Sequence, residues 1–239
     1  MKNVMKIENL GLFLLGALGI SQLWFADLGL AELAAEAGIS LSTLKVAQMA
    51  QVTILLLVAV IVGAFTSRLT HFQGLSRSGF SAGGVVRDIS VATSIAVITM
   101  LAYRYLVAEI FPLEAATQDS PVVFAVLYGG LTEELLVRWG LMGLIAYLLL
   151  KVFDKSGGNR GSLIVWANVV SASVFALGHF PALSLLPNAQ PIHYALVFLF
   201  NALIGLIYGW LFAKHSLAAS MMSHAGTHIG AFVVLGIIA

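Results

Sequence analysis

The sequence predicts an all-α, polytopic transmembrane helix bundle of about seven spans, and three observations carry that prediction. The 239 residues are 60% hydrophobic and only 10% charged, where a soluble domain carries roughly 25% charged residues. Mean hydropathy is +0.99. The apolar residues fall in runs of about 20, enough for a helix to cross a bilayer, rather than in the roughly ten-residue alternating segments of a β-barrel.

Taken in order, the runs place spans at about 9–25, 46–65, 89–108, 121–150, 162–180, 193–212 and 217–238. Lys2 and Lys6 precede the first run as in a signal peptide. The run continues through Trp24 and Phe25 with no small-residue cleavage site, so a retained signal anchor is expected. Residues 26–45, with Asp27, Glu32, Glu36, Ser40 and Ser42, form an acidic, mildly amphipathic connection with room for a re-entrant segment. Residues 66–88 form a basic, Gly/Ser-rich loop carrying Arg68, Arg77 and Arg87. Arg104 and Glu109, five apart near the end of the third span, read as an interfacial snorkelling pair.

The sixth span carries Gly205 and Gly209, and the seventh Gly226 and Gly230; both are GxxxG spacings that permit close helix approach. At about 100° per residue, the second pair lies roughly opposite His224 and His228. One face of that helix can then pack while the other faces a polar centre. Oligomeric state is not legible, although such faces would permit a dimer.

With seven spans, Lys2, Lys6, Arg68, Arg77, Arg87, Lys151, Lys155, Arg160 and Lys214 fall on one side. Only Lys45 falls on the other, with Asp27, Glu32, Glu36, Glu114 and Asp119. The asymmetry places the N-terminus in the cytoplasm and the C-terminus outside. A net charge of +1 with no Lys/Arg cluster argues against nucleic acid. The absence of cysteine removes disulfides, thiol nucleophiles and Cys-based metal sites.

Against this background, Gly130-Leu131-Thr132-Glu133-Glu134-Leu135-Leu136-Val137-Arg138 puts two carboxylates and a guanidinium inside one apolar segment. Charges at membrane depth are costly and mark functional sites by default. Glu134 and Arg138 are spaced i,i+4 with the acid first, the favoured orientation for a pair, whereas Glu133 points about 100° away. One carboxylate is thus held by an internal cation and the other is left for chemistry. The bland reading is a structural polar knot.

Three histidines in later segments weigh against that reading. His179 ends Phe175-Ala176-Leu177-Gly178-His179, and His224 and His228 share a helix face. A glutamate in a low-dielectric cavity can act as base and then acid, and imidazoles can orient water, bind a metal or donate to an oxyanion. His193 and His215 read as packing residues. No His-Glu-x-x-His, Gly-x-Gly-Asp or Gly-x-Ser-x-Gly pattern is present.

Glu133-Glu134-x-x-x-Arg138, Phe175-x-x-x-His179 and His224-x-x-x-His228 resemble the three signature motifs of the CPBP (Abi) family. These are CAAX proteases and bacteriocin-processing membrane proteins, relatives of the type II CAAX prenyl endopeptidase. Gly205-Leu206-Ile207-Tyr208-Gly209-Trp210 and the Lys214-His215-Ser216-Leu217 turn add to the likeness, which covers about residues 121–239. The expected division is therefore N-terminal helices over 1–120 and a catalytic bundle over 121–239. The resemblance implies an intramembrane endopeptidase with a polar cavity among the last four helices. Glu133 and His179 would activate water, and His224 would stabilise the oxyanion or ligate a metal. Glu134, Arg138 and Phe175 would support them.

Where the family commonly has Asn, this chain has His228, which can donate, titrate or bind a metal. Glu133, His179, His224 and His228 make a chemically reasonable Zn²⁺ set, provided one stays off the metal to leave a position for water. Expected partners are membrane lipid and a peptide or protein substrate, lipidated or hydrophobic, with a bacterial plasma membrane as the location. Two other classes remain open: a non-catalytic scaffold or immunity protein on the same fold, and a proton or cation transporter, which would need a polar path through the membrane. One depth does not close: His179 falls about 25 Å from the inner end if its helix begins at Ser162. The expectation is a start nearer Asn168 or a strong tilt.

Overall fold

The computed structural model describes residues 7–26, 29–75, 81–107, 122–154, 158–184 and 189–238. They form an all-α bundle with no strand among the described residues. Helix α1 (Ile7–Ser21) runs into a tight turn at Gln22–Trp24. The acidic connection folds into a short helix, α2 (Leu30–Glu36), entered through Gly29 at φ 68, in the left-handed region that glycine tolerates. Helix α3 (Leu41–Thr70) starts five residues earlier than expected, because the Ser40 side chain caps it by accepting from Thr43 N.

Ser81 likewise caps α4 (Ala82–Ala102), which passes into a π-helical turn, Tyr103–Val107. The earlier start corrects the expected loop: Arg87 and Asp88 are inside a span, and Asp88 is fully buried. The third span therefore carries charged residues that the sequence reading left in the loop. Arg104 is in the exposed π turn; its proposed partner Glu109 lies outside the described residues, as do Lys2, Lys6, Asp27, Arg77, Glu114, Asp119 and Lys155.

Helix α5 spans Val122–Phe153 and winds in the π form over Ala125–Glu133 and Leu135–Met142. Such i→i+5 winding is rare and is frequently found at functional sites. Then come α6 (Arg160–Leu177), the short α7 (Phe180–Ser184), α8 (Pro191–Lys214) and α9 (Leu217–Ile238). Among the described residues six helices are long and apolar enough to cross a membrane. The seventh expected span is present as the 22-residue α9, though it is not one of those six. Side chains such as Ile54, Leu57, Phe65, Trp166, Leu199 and Phe232 stay exposed, as expected of faces solvated by lipid tails.

α5 is the axis of the bundle. Its Thr132 hydroxyl donates to Gly16 O of α1 at 2.8 Å, and a Cβ at Gly63 of α3 would strike the Trp139 ring. On the far side, a Cβ on Gly130 would meet Ala225 Cβ of α9 at 2.6 Å. Leu12, Leu56, Leu135, Trp139, Met142, Phe212 and Leu217 share one core, so packing is continuous across residue 120. Both GxxxG faces pack as helix contacts. Gly205 and Gly209 face Ala172 and Asn168 of α6, while Gly226 and Gly230 face Ala92 and Ala96 of α4.

Bonds at the helix ends show which ends share a side. Arg160 donates to the Leu69 and Thr70 carbonyls at 2.9 and 2.6 Å, satisfying the last turn of α3 and complementing its dipole. Leu217 N donates to Gln73 O at 2.8 Å. At the opposite end, Lys45 donates to Trp24 O and Ala26 O. Thus Arg68, Arg87, Lys151, Arg160 and Lys214 gather at one end of the bundle, with Lys45 at the other.

Candidate active site

The site begins with Glu134 on α5, whose two carboxylate oxygens are divided between different donors. Oε2 accepts from the Ser220 hydroxyl of α9 and lies 3.3 Å from Arg138 Nε. Oε1 accepts from His224 Nδ1, also on α9, at 2.9 Å. Glu134 and Arg138 are completely buried, and His224 is 4% exposed. A buried charge needs a partner and further hydrogen bonds; Glu134 has one cation and two donors. The expected i,i+4 pair therefore forms, π winding notwithstanding, and it holds a histidine as well.

His224 is fixed on its other sides by rings. Tyr208 of α8 stacks on it at 4.5 Å with 21° between planes, and His228 stacks at 4.9 Å and 28°. Phe175 of α6 meets it edge-on at 5.9 Å. The same Phe175 meets His179 edge-on at 4.9 Å and lies under the Arg138 guanidinium, 5.1 Å from the ring centre. Phe175 is thus a hub touching three of the sequence-predicted residues.

His179 is in the turn after α6, where its Nδ1 donates to Phe175 O at 2.9 Å. That fixes the tautomer and leaves Nε2 as the available nitrogen. His179 is also near enough to His228 to interact electrostatically. The later start expected near Asn168 is not found, since α6 begins at Arg160. α6 is offset against α8, with Asn168 beside Gly209 and Ala172 and Phe175 beside Gly205. Asn168, the ninth residue of α6, thus lies nearly level with the last turns of α8.

Glu133 is half-buried, next to Glu134 but on a different face. Its carboxylate is within electrostatic reach of Tyr128, five residues earlier, and of Tyr208. In an i→i+5 helix residues five apart share a face. A Cβ on Gly129 would come 2.7 Å from His228 Nε2 and 3.5 Å from His224 Nε2. Both outward nitrogens therefore converge on the space this glycine leaves.

That geometry bears on metal. Among the described residues no three His, Asp or Glu side chains converge as a ligand group. A ligated metal lies in the plane of each imidazole about 2.0–2.1 Å from nitrogen. The planes of His224 and His228, 4.9 Å apart and inclined by 28°, meet much farther out. Glu133, His179, His224 and His228 do not form a metal set as arranged here.

His193 accepts from Gln190 N in the cap of α8, and His215 sits edge-on to Trp210 in the α8–α9 turn. Both match the packing role expected of them. Four residues escaped the sequence reading. Ser220 was visible in principle, four residues before His224 as His228 is four after. Tyr208 was visible only as part of the Gly205–Trp210 stretch, Gly129 had no signal beyond being small, and Asp88 was hidden by the misplaced helix start.

Residues 119–230 match the family model described as Type II CAAX prenyl endopeptidase Rce1-like, in agreement with the motif resemblance. No curated protein and no solved structure matches the chain.

Proposed function

Taking residues 119–230 as a Type II CAAX prenyl endopeptidase Rce1-like segment, we propose that this integral membrane protein is an intramembrane endopeptidase. It hydrolyses a peptide bond of a membrane-associated, lipidated or hydrophobic peptide or protein. The observation that carries the reading is the junction of α5, α6, α8 and α9 on His224: Glu134 at its Nδ1, Tyr208 and His228 on its faces, and Phe175 between it and His179. A charge-bearing centre built from four helices is expensive to bury. A structural knot would need Glu134 and Arg138 alone.

In the proposed reaction Glu133 takes a proton from water, with His179 Nε2 orienting it, as the water oxygen attacks the peptide carbonyl. The developing oxyanion is met by N–H donors at His224 and His228. A carboxylate on Nδ1 stabilises an imidazolium whose second N–H points outward. Glu133 then returns its proton to the leaving amine as the C–N bond breaks. No step is routed through a metal.

The test uses purified full-length protein with an internally quenched farnesylated CAAX peptide, and comparative proteomics of membranes from cells carrying wild type or Glu133→Ala. Glu133→Ala and His179→Ala should each lose about 10²-fold or more of cleavage with unchanged thermal melting, and Glu133→Ala membranes should accumulate an uncleaved peptide. Undiminished proteolysis in either variant refutes the assignment. So does a wild-type phenotype in cells carrying the double variant, which is the result a scaffold or immunity protein would give. Elemental analysis should find no stoichiometric zinc, with activity surviving chelation.

A further inference from the structure

The division of Glu134 between its donors poses a mechanical question, because Arg138 is not saturated. Its Nε is 3.3 Å from Oε2, while Nη1 and Nη2 are buried and make no hydrogen bond among the described residues. Beyond Glu134, the guanidinium has the Phe175 ring beneath it. Arginine prefers to engage a carboxylate through two parallel N–H bonds, and a glutamate carboxylate turns easily about its terminal torsion. Left to this pair, the carboxylate would rotate to offer both oxygens to the guanidinium. Oε1 would then leave His224.

We propose that Ser220 is the positioning residue that prevents this. Ser220 and His224 are one turn apart on α9, about 6 Å along its axis, and they engage opposite oxygens of the same carboxylate. The Ser220 hydroxyl holds Oε2 in place, so Oε1 stays on His224 Nδ1. That bond keeps the proton on Nδ1 and aims Nε2 toward the space beside Gly129, where His228 Nε2 also points. Ser220 touches neither substrate nor reacting atoms; it acts through Glu134 on His224. The positioning part of the inference stands on geometry alone, while its consequence for rate rests on the peptidase reading.

The experiment compares wild type, Ser220→Ala, Ser220→Thr and Ser220→Cys as full-length protein with 15N-labelled histidine rings, at one fixed pH. The His224 resonances are assigned by their loss in His224→Gln. Wild type and Ser220→Thr should show the His224 Nδ1 signal of a proton hydrogen-bonded to Glu134, whereas Ser220→Ala and Ser220→Cys should show that Nδ1 signal displaced. A helix-docking role alone would lower the melting temperature without moving these signals. Unchanged His224 nitrogen signals in Ser220→Ala overturn the proposal; if that variant does not fold, unchanged signals in Ser220→Cys do so. On the farnesylated CAAX peptide, kcat should fall about 10–100-fold in Ser220→Ala, the scale for partners behind a functional histidine. KM should stay within about twofold, and threonine should restore the rate. A wild type inert toward the peptide sinks the peptidase reading, and the ring spectra still decide the role of Ser220.

Discussion

The Glu134–Arg138 pair makes an asymmetric prediction about stability. Both side chains are fully buried, but their other partners differ. Without Arg138, Glu134 keeps the Ser220 hydroxyl and His224 Nδ1. Without the charge of Glu134, Arg138 keeps, among the described residues, the face of Phe175 and a neutral amide. Removing one member of a buried pair costs about 3–5 kcal/mol because a charge is left uncompensated. At about 2–4 °C per kcal/mol for a chain of this length, Glu134→Gln should lower the apparent melting temperature by about 6–20 °C. Arg138→Met should cost distinctly less. Glu134→Leu/Arg138→Met, which removes both charges, should recover most of the loss while remaining inactive, since replacing a buried pair by apolar residues is often neutral. Intrinsic tryptophan fluorescence of full-length protein in detergent, scanned with temperature, reads all three. The reasoning fails if Arg138→Met is as damaging as Glu134→Gln, or if the double variant is no more stable than Glu134→Gln.

Two further variants probe the site and its basic end. Gly129→Ala introduces a Cβ 2.7 Å from His228 Nε2. Displacing that ring by the order of 1 Å should cost about 10²-fold in cleavage with little change in melting, and full activity would show that the space is not used. His215 is held below the usual imidazole range by burial, with Arg87 and Lys214 adding to the effect and Asp88 opposing it. The unfolded chain therefore binds more protons there than the folded one, so stability present above its ordinary value of 6.5 is lost as pH falls below it. Melting temperature should decline from pH 7 to pH 5, and His215→Asn should flatten that decline; identical slopes would remove His215 as the cause.

Much of this was written in the chain. The hydrophobic runs located the long helices, with ends displaced by up to seven residues, because a bilayer-spanning helix must be long and apolar whatever it packs against. The i,i+4 spacing of Glu134 and Arg138 predicted their pair, and the two GxxxG spacings predicted close faces that α6 and α4 now occupy. Helix starts were read less well. At Ser40 and Ser81 a capping side chain extends the helix beyond the apolar run, and hydropathy does not see caps.

The sequence by itself determined that Glu133, Glu134 and Arg138 carry charge at membrane depth and which of them share a helix face, since both follow from local composition and helical periodicity. Only the tertiary structure decided how they are connected. The sequence assigned Glu134 to Arg138, and the fold gives its other oxygen to His224, 90 residues away. The sequence counted four donors for a metal, and the fold stacks two of them face to face. These outcomes depend on which face α9 turns toward α5, which is set by Gly130 against Ala225 and by Gly226 and Gly230 against α4. Such a rotation is the sum of contacts between distant segments, and no local pattern encodes it.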